Sequence, residues 1–295
     1  MELCTGKRSI AQVCSLMERE TGAEITSDMV YSAIERSVPD IRQWRARPLD
    51  VTYPLIWVDG CRIRCRDDKM GVASGTLYSL VGVDSFGMKD IIGQWVCRRE
   101  STQFWTSVLT ELRNRGVRDI LMMSYEGKPE LGEALSGVYP DTLPIPSPGH
   151  QVASAMRFFN WKDSKVIYPS LKSIWLAESK ESGDALMEEF TKTWSEHYPL
   201  VVKHLSERWK ECSAMLIMDG WIRRLACSPA PMRRFHPYID TAFTCKEPLP
   251  SESTVLKLAW LAGRSASCKW TTPVQNWAEI SQSLSSVFGN RFNLF

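Results

Sequence analysis

The chain lacks a Cys-x-x-Cys pair, any long apolar run, a strong charge of either sign, and any low-complexity or repeated segment. Its nine dispersed cysteines, an odd number, suggest neither a disulfide framework nor a zinc site. They are expected to be reduced, mostly buried thiols. No apolar stretch reaches the roughly 18 residues needed to span a bilayer, and the N-terminus has no signal-peptide pattern. The expectation is a soluble, cytoplasmic protein with no membrane partner. A formal charge of +2 is weak support for a polyanion partner, because nucleic-acid binders carry a basic excess at least locally. Such a local excess exists in Arg36, Arg42, Arg45, Arg47, Arg62, Arg64 and Arg66, which reads as a solvated face or as a set of phosphate contacts.

The 295 residues suffice for one large or two modest domains. Ile10, Val13 and Leu16 recur at helical spacing, and Val30, Ile34 and Val38 repeat the pattern after a helix start at Ser27-Asp28. These two short helices read as a helix-turn-helix or as a plain packing pair, and Asp28 and Glu35 on the second would meet phosphates unfavourably. Strands are expected over 55–64, 76–84 and 90–97, with turn residues between them, then a helix over 102–115 that stops at Gly116, then a strand over 119–125. A crossover helix makes that last strand parallel to the first. Beyond His150 the pattern is helical, and Trp161, Trp175, Trp194 and Trp209 fall among apolar residues at helical spacing, as core or as base-stacking platforms. Trp270 to Pro273 and Asn276-Trp277 are expected to close the chain with helical elements.

One residue breaks the apolar logic. Asp59 lies inside the run from Leu55 to Ile63, and a carboxylate in a core strand is unfavourable unless a metal, a cation or a hydrogen-bond donor meets it.

The text around Asp59, together with Phe104-Trp105, Leu112 to Val117, Asn160-Trp161-Lys162-Asp163, Trp194 to Tyr198-Pro199, Pro250-Ser251-Glu252 and Lys269 to Pro273 with Asn276-Trp277, resembles the mutator-type transposases of bacterial insertion sequences. That resemblance implies an α/β ribonuclease H-like core, a mixed sheet of a three-strand meander plus parallel strands, with an all-α insertion and an N-terminal helix-turn-helix. The implied divisions are 1–48, 49–147, 148–221 and 222–295. Members usually carry a further N-terminal DNA-binding region, whereas Met1 here stands almost directly before the first helix. DNA, the ends of an insertion element, is the implied partner, with Arg36, Arg42, Arg45 and Arg47 as its contacts and Mg²⁺ as cofactor. A homodimer or a pairing with an intact transposase is also implied.

In that family Asp59 would open a metal-binding triad of acids. Glu126, before Gly127, stands where a second aspartate is expected; Ser147-Pro148-Gly149-His150 keeps only the histidine of a Cys-x-x-His pair; and Arg233 falls at the third acid. Two-metal phosphoryl transfer needs carboxylates holding ions about 3.5 to 4 Å apart, so a guanidinium there repels the metal. Glutamate for aspartate moves a carboxylate by about 1.5 Å, and an error near 1 Å can cost on the order of a hundredfold. The expectation is therefore a degenerate catalytic set, Asp59, Glu126 and Arg233, with Asp240 or Asp219 as substitute third acids after a shift in register. His150 is a lesser candidate ligand or base. Pro237 cannot donate to the carbonyl of residue 233, so a normal helix is not expected through it. On this reading Arg233 reaches Asp59 and Glu126 as the local cation.

Overall fold

The longest strand, β1 (Thr52–Arg66), has apolar side chains on both of its faces, and it lies at the centre of a sheet covered on both sides. The computed structural model describes residues 10–36, 38–66, 71–126, 128–146, 155–156, 158–226, 230–243 and 248–292. Five strands stand in the order β3-β2-β1-β4-β5, with β2 (Val72–Val83), β3 (Lys89–Cys97), β4 (Asp119–Tyr125) and β5 (Leu143–Pro146). β1, β2 and β3 are antiparallel neighbours, whereas β4 runs parallel to β1 and β5 parallel to β4. This mixed α/β sheet, a meander followed by parallel strands, agrees with the expected order and is consistent with a ribonuclease H-like core.

The two-residue period of β1 sorts its side chains into two cores. Ile56 and Val58 join Trp105, Leu109 and Leu135 from α4 (Thr102–Asn114) and α5 (Pro129–Val138). Helix α4 begins where the Ser101 hydroxyl accepts from the Phe104 amide, and it ends at Gly116, whose φ of +115° needs glycine. On the other face Leu55, Trp57, Ile63 and Cys65 pack with residues of α1 (Ile10–Thr21), α2 (Ser27–Glu35) and α3 (Val38–Ala46). The same core takes in α9 (Gly220–Ala226), α10 (Ala230–Phe243), α11 (Glu252–Ser267) and α12 (Trp277–Phe288). The N-terminal helices thus share a core with the sheet. Between the two halves of the chain, α6 (Trp161–Trp175), α7 (Lys180–Trp194) and α8 (Pro199–Ser213) close around Ile167, Leu171, Phe190 and Leu205. Among the described residues no helix is long and apolar enough to cross a membrane.

Four local expectations need correction. A third N-terminal helix, α3, follows α2; Pro39 sits in its first turn, where the missing amide hydrogen is not needed. Of the four tryptophans assigned to packing or stacking, Trp175 and Trp209 are buried and meet edge to face, but Trp161 is 68% exposed with the Lys165 ammonium over its ring. Trp270 to Pro273 is irregular rather than helical, since Trp270 inserts into the core and Pro273 cannot donate. Helix α10 passes through Pro237. A proline in a helix interior costs about 3 kcal/mol, and Phe235 and Ile239, fully buried on either side of it against the core, outweigh that loss.

If packing holds α10 in spite of Pro237, Phe235→Ala should lower stability by about 3 to 5 kcal/mol. Thermal or urea unfolding measures this, and a loss below about 1 kcal/mol would show that the helix is held by something else.

Candidate functional site

Asp59 occupies the β1 face that looks toward α10, and it is 3% exposed. The helix that packs across β1 brings His236 to it: the imidazole Nε2 lies 3.1 Å from the Asp59 carboxylate oxygen Oδ1. Phe235 fixes that approach, because its burial orients the helix and leaves the next residue on the strand side. Hydrogen bonding to Asp59 raises the His236 pKa; burial opposes this, and the charges of Asp59 and Asp240 reinforce it. His236 is the functional-site residue that sequence reasoning missed. Its signal was present, one helical turn beyond Arg233, but expecting the helix to fail at Pro237 removed any reason to place it.

Glu126 follows the last residue of β4. The parallel pairing of Trp57 with Ser124 sets Asp59 and Glu126 level across the two strands. Their carboxylates nevertheless have different neighbours. Glu126 lies 3.6 Å from the Lys128 ammonium, which also bonds Glu100 at 2.6 Å and the Tyr78 hydroxyl at 3.1 Å. Tyr78 belongs to the core on the α4 side of the sheet, and its hydroxyl donates to Glu100.

The remaining candidates separate. Arg233 lies on α10, but its side chain is outside the described residues, as is His150, so the pairing expected of Arg233 with the two acids is not described. Asp240 lies one turn beyond His236; its charge acts on His236 and, after burial, helps push the Cys61 thiol to about 11. Asp219 serves as a helix cap instead: it accepts from the Trp221 amide at 2.8 Å, a bond that holds its carboxyl below the usual value. Among the described residues no group of three or more histidines, cysteines or acids could hold a metal ion. A Mg²⁺ site wants several oxygen ligands in an octahedron, and an aspartate facing an imidazole does not supply them.

The basic residues also divide. Arg36 and Arg42 are exposed and Arg45 is half-buried. Arg47 is committed to structure, pairing with Asp90, donating to the Ile91 carbonyl at 2.9 Å and covering the Trp44 ring. Arg62, Arg64 and Arg66 form an exposed row on alternate positions of β1. That stretch is held from both edges, by β2 and by backbone hydrogen bonds with Leu249, whose amide donates to the Arg64 carbonyl and whose carbonyl accepts from the Arg66 amide.

His236→Gln keeps a donor but no charge. Because the folded pKa of His236 is raised, its contribution is fully present below the unfolded value of 6.5 and disappears as pH rises through the higher folded value. With the side chain 36% exposed, screening limits the effect to about 1 kcal/mol. The variant should melt lower than the parent below pH 6.5, and the gap should narrow as pH rises above that value; a pH-independent gap would refute a charged pair. Arg47→Ala should lower the melting temperature while leaving the salt dependence of any DNA binding unchanged, and a flatter salt dependence would identify Arg47 as a phosphate ligand instead.

Residues 5–272 match the family model described as "Transposase, Mutator family". The chain is 25% identical over 96% of its length to the transposase for insertion sequence element ISRM3 of Rhizobium meliloti (strain 1021), covering 71% of that protein. It is 24% identical over 88% of its length to a probable transposase for an insertion sequence element of Corynebacterium diphtheriae, covering 76% of that protein. The match spans the sheet, the helical segment between its halves, and α10; the chain belongs to the Mutator family of transposases.

Proposed function

We propose that this protein acts on DNA as a transposase-family member whose catalytic triad is degraded, and that it works as a DNA-binding or regulatory derivative. The observation that carries the reading is the pairing of Asp59. The acid that the family resemblance makes a metal ligand is buried against His236, while Glu126 lies beside Lys128. The imidazole, when protonated, fills the electrostatic role that a cation would take, with a nitrogen donor where Mg²⁺ would need an oxygen acceptor. The family is associated with Mg²⁺-dependent chemistry. On this reading the core is ribonuclease H-like, and α1 and α2 form the helix-turn-helix. Residues 148–221 make a helical insertion, and the partners are insertion-element ends and either a second copy or an intact transposase. Arg36, Arg42 and the row Arg62, Arg64 and Arg66 are among the exposed cations available for phosphates.

One observation favours a second reading, an active enzyme that takes its third acid from Asp240. That residue follows His236 by one turn of α10, and its charge is felt there.

Incubating the protein with DNA carrying insertion-element terminal repeats, with and without Mg²⁺, separates the two. The regulatory reading expects binding without cleavage. Its affinity should fall with salt, and the slope of that fall should drop by about 0.9 for each phosphate that Arg62→Gln, Arg64→Gln or Arg66→Gln leaves without its cation. Mg²⁺-dependent cleavage that disappears in Asp240→Asn would establish the enzyme instead.

A further inference from the structure

A cavity of about 360 Å³ opens between β1, β3, α9, α10 and the segment before α12. Its wall holds three indoles, Trp57, Trp221 and Trp270, and three cations, Lys89, Arg224 and Arg234. Among the described residues no acid lines it. Cations gathered without an anion repel one another: burial and then the charge of Arg234 hold the Lys89 pKa below its ordinary value, and its ammonium donates to a neutral acceptor, the Thr272 carbonyl 3.3 Å away. What this lining lacks, among the described residues, is an anionic acceptor. The aromatic wall gives a second requirement, because the flat faces of indoles favour a π-system, and Arg224 already stacks over Trp221 at 4.8 Å. The volume is at the lower end of the range of small-molecule sites.

We infer that this cavity binds a single nucleotide unit, its base against the indoles and its phosphate on Lys89, Arg224 and Arg234. The unit comes either as a free mononucleotide or as an unpaired residue of a nucleic-acid strand, which present the same chemistry. The site adjoins the acid pair, since Trp57 precedes Asp59 by two residues on β1 and Arg234 precedes His236 by two on α10. The inference goes beyond the regulatory reading and stands without it, because a free nucleotide would be held whether or not the chain binds duplex.

The test titrates the whole chain with adenosine monophosphate, adenosine and inorganic phosphate, following intrinsic tryptophan fluorescence. The monophosphate should bind at least roughly fivefold tighter than inorganic phosphate, since stacking one base is worth about 1 to 3 kcal/mol, or about 5- to 150-fold, and tighter than adenosine, which lacks the phosphate. Arg224 and Arg234 are exposed, so the double variant Arg224→Gln, Arg234→Gln should fold normally and bind about tenfold or more weakly. Trp221→Ala should weaken binding of the monophosphate by a comparable factor but change phosphate binding little. Two DNA hairpins, one fully paired and one with a single protruding nucleotide, distinguish the sources. A defect of the double variant confined to the second hairpin assigns the site to a strand, and binding of the monophosphate alone assigns it to a free nucleotide. Phosphate binding as tightly as the monophosphate, an unchanged double variant, or no binding of either the monophosphate or the protruding hairpin would each overturn the inference. DNA binding indifferent to these variants, together with no binding of the monophosphate, would sink the cavity proposal and spare the regulatory reading; monophosphate binding without any DNA binding would do the reverse.

Discussion

A carboxylate within the central strand of a doubly covered sheet must be met by positive charge or by donors, and much of this molecule's site follows from how that demand is answered at Asp59. Its side chain is almost wholly removed from water, so leaving it without a partner would cost several kcal/mol. The partner comes from α10, a helix far away in sequence that is held in place by its apolar residues on both sides of Pro237. Aspartate and imidazole compensate each other most fully when the imidazole is charged, which links the integrity of this part of the core to pH in the range where histidines titrate.

The second acid resolves the same kind of problem differently. Glu126 stands past the end of β4, where water still reaches its carboxylate, and a lysine two residues on lies beside it. Lys128 is itself shared with Glu100 and Tyr78, so the cluster is a small surface network whose members each gain little individually. The strand register that sets the two acids level therefore does not make them chemically equivalent: one lies under a helix and the other at an open rim.

How much of this could be read from the sequence depends on whether the information was local. The apolar segments in 55–64, 76–84 and 90–97, the glycine stop of α4 and the crossover to a parallel strand are local or near-local signals, and the four strands they mark stand as expected, whereas the short β5 was not foreseen. Asp59 stood out because a single charge in an apolar run violates a strong rule. Arg47 illustrates the opposite case. It belongs to a basic stretch in sequence, yet it pairs with Asp90 from β3, an interaction that no spacing within the stretch could have disclosed. Trp161 sits among apolar residues at helical spacing but on the outer side of α6, because the period identifies a stripe without saying how far along the helix the stripe stays covered. His236 was hidden by a rule applied too strictly: proline disfavours a helix interior by a finite amount, and two fully buried side chains beside it supply more.

Helix α10 also explains why the cavity and the acid pair lie side by side. Successive residues on an α-helix point about 100° apart, so Arg234, Phe235 and His236 project in three directions: to the cavity, into the core and to Asp59. The middle one fixes the other two. A slip of one residue would bring a guanidinium or an imidazole into the fully buried position of Phe235, where an uncompensated charge is far more unfavourable than anything gained by either polar interaction. The rotation of the helix is therefore set by apolar packing, and the two polar environments are consequences of that rotation. A change in Phe235 should disturb both together, whereas changes in Arg234 or His236 should each stay confined to one.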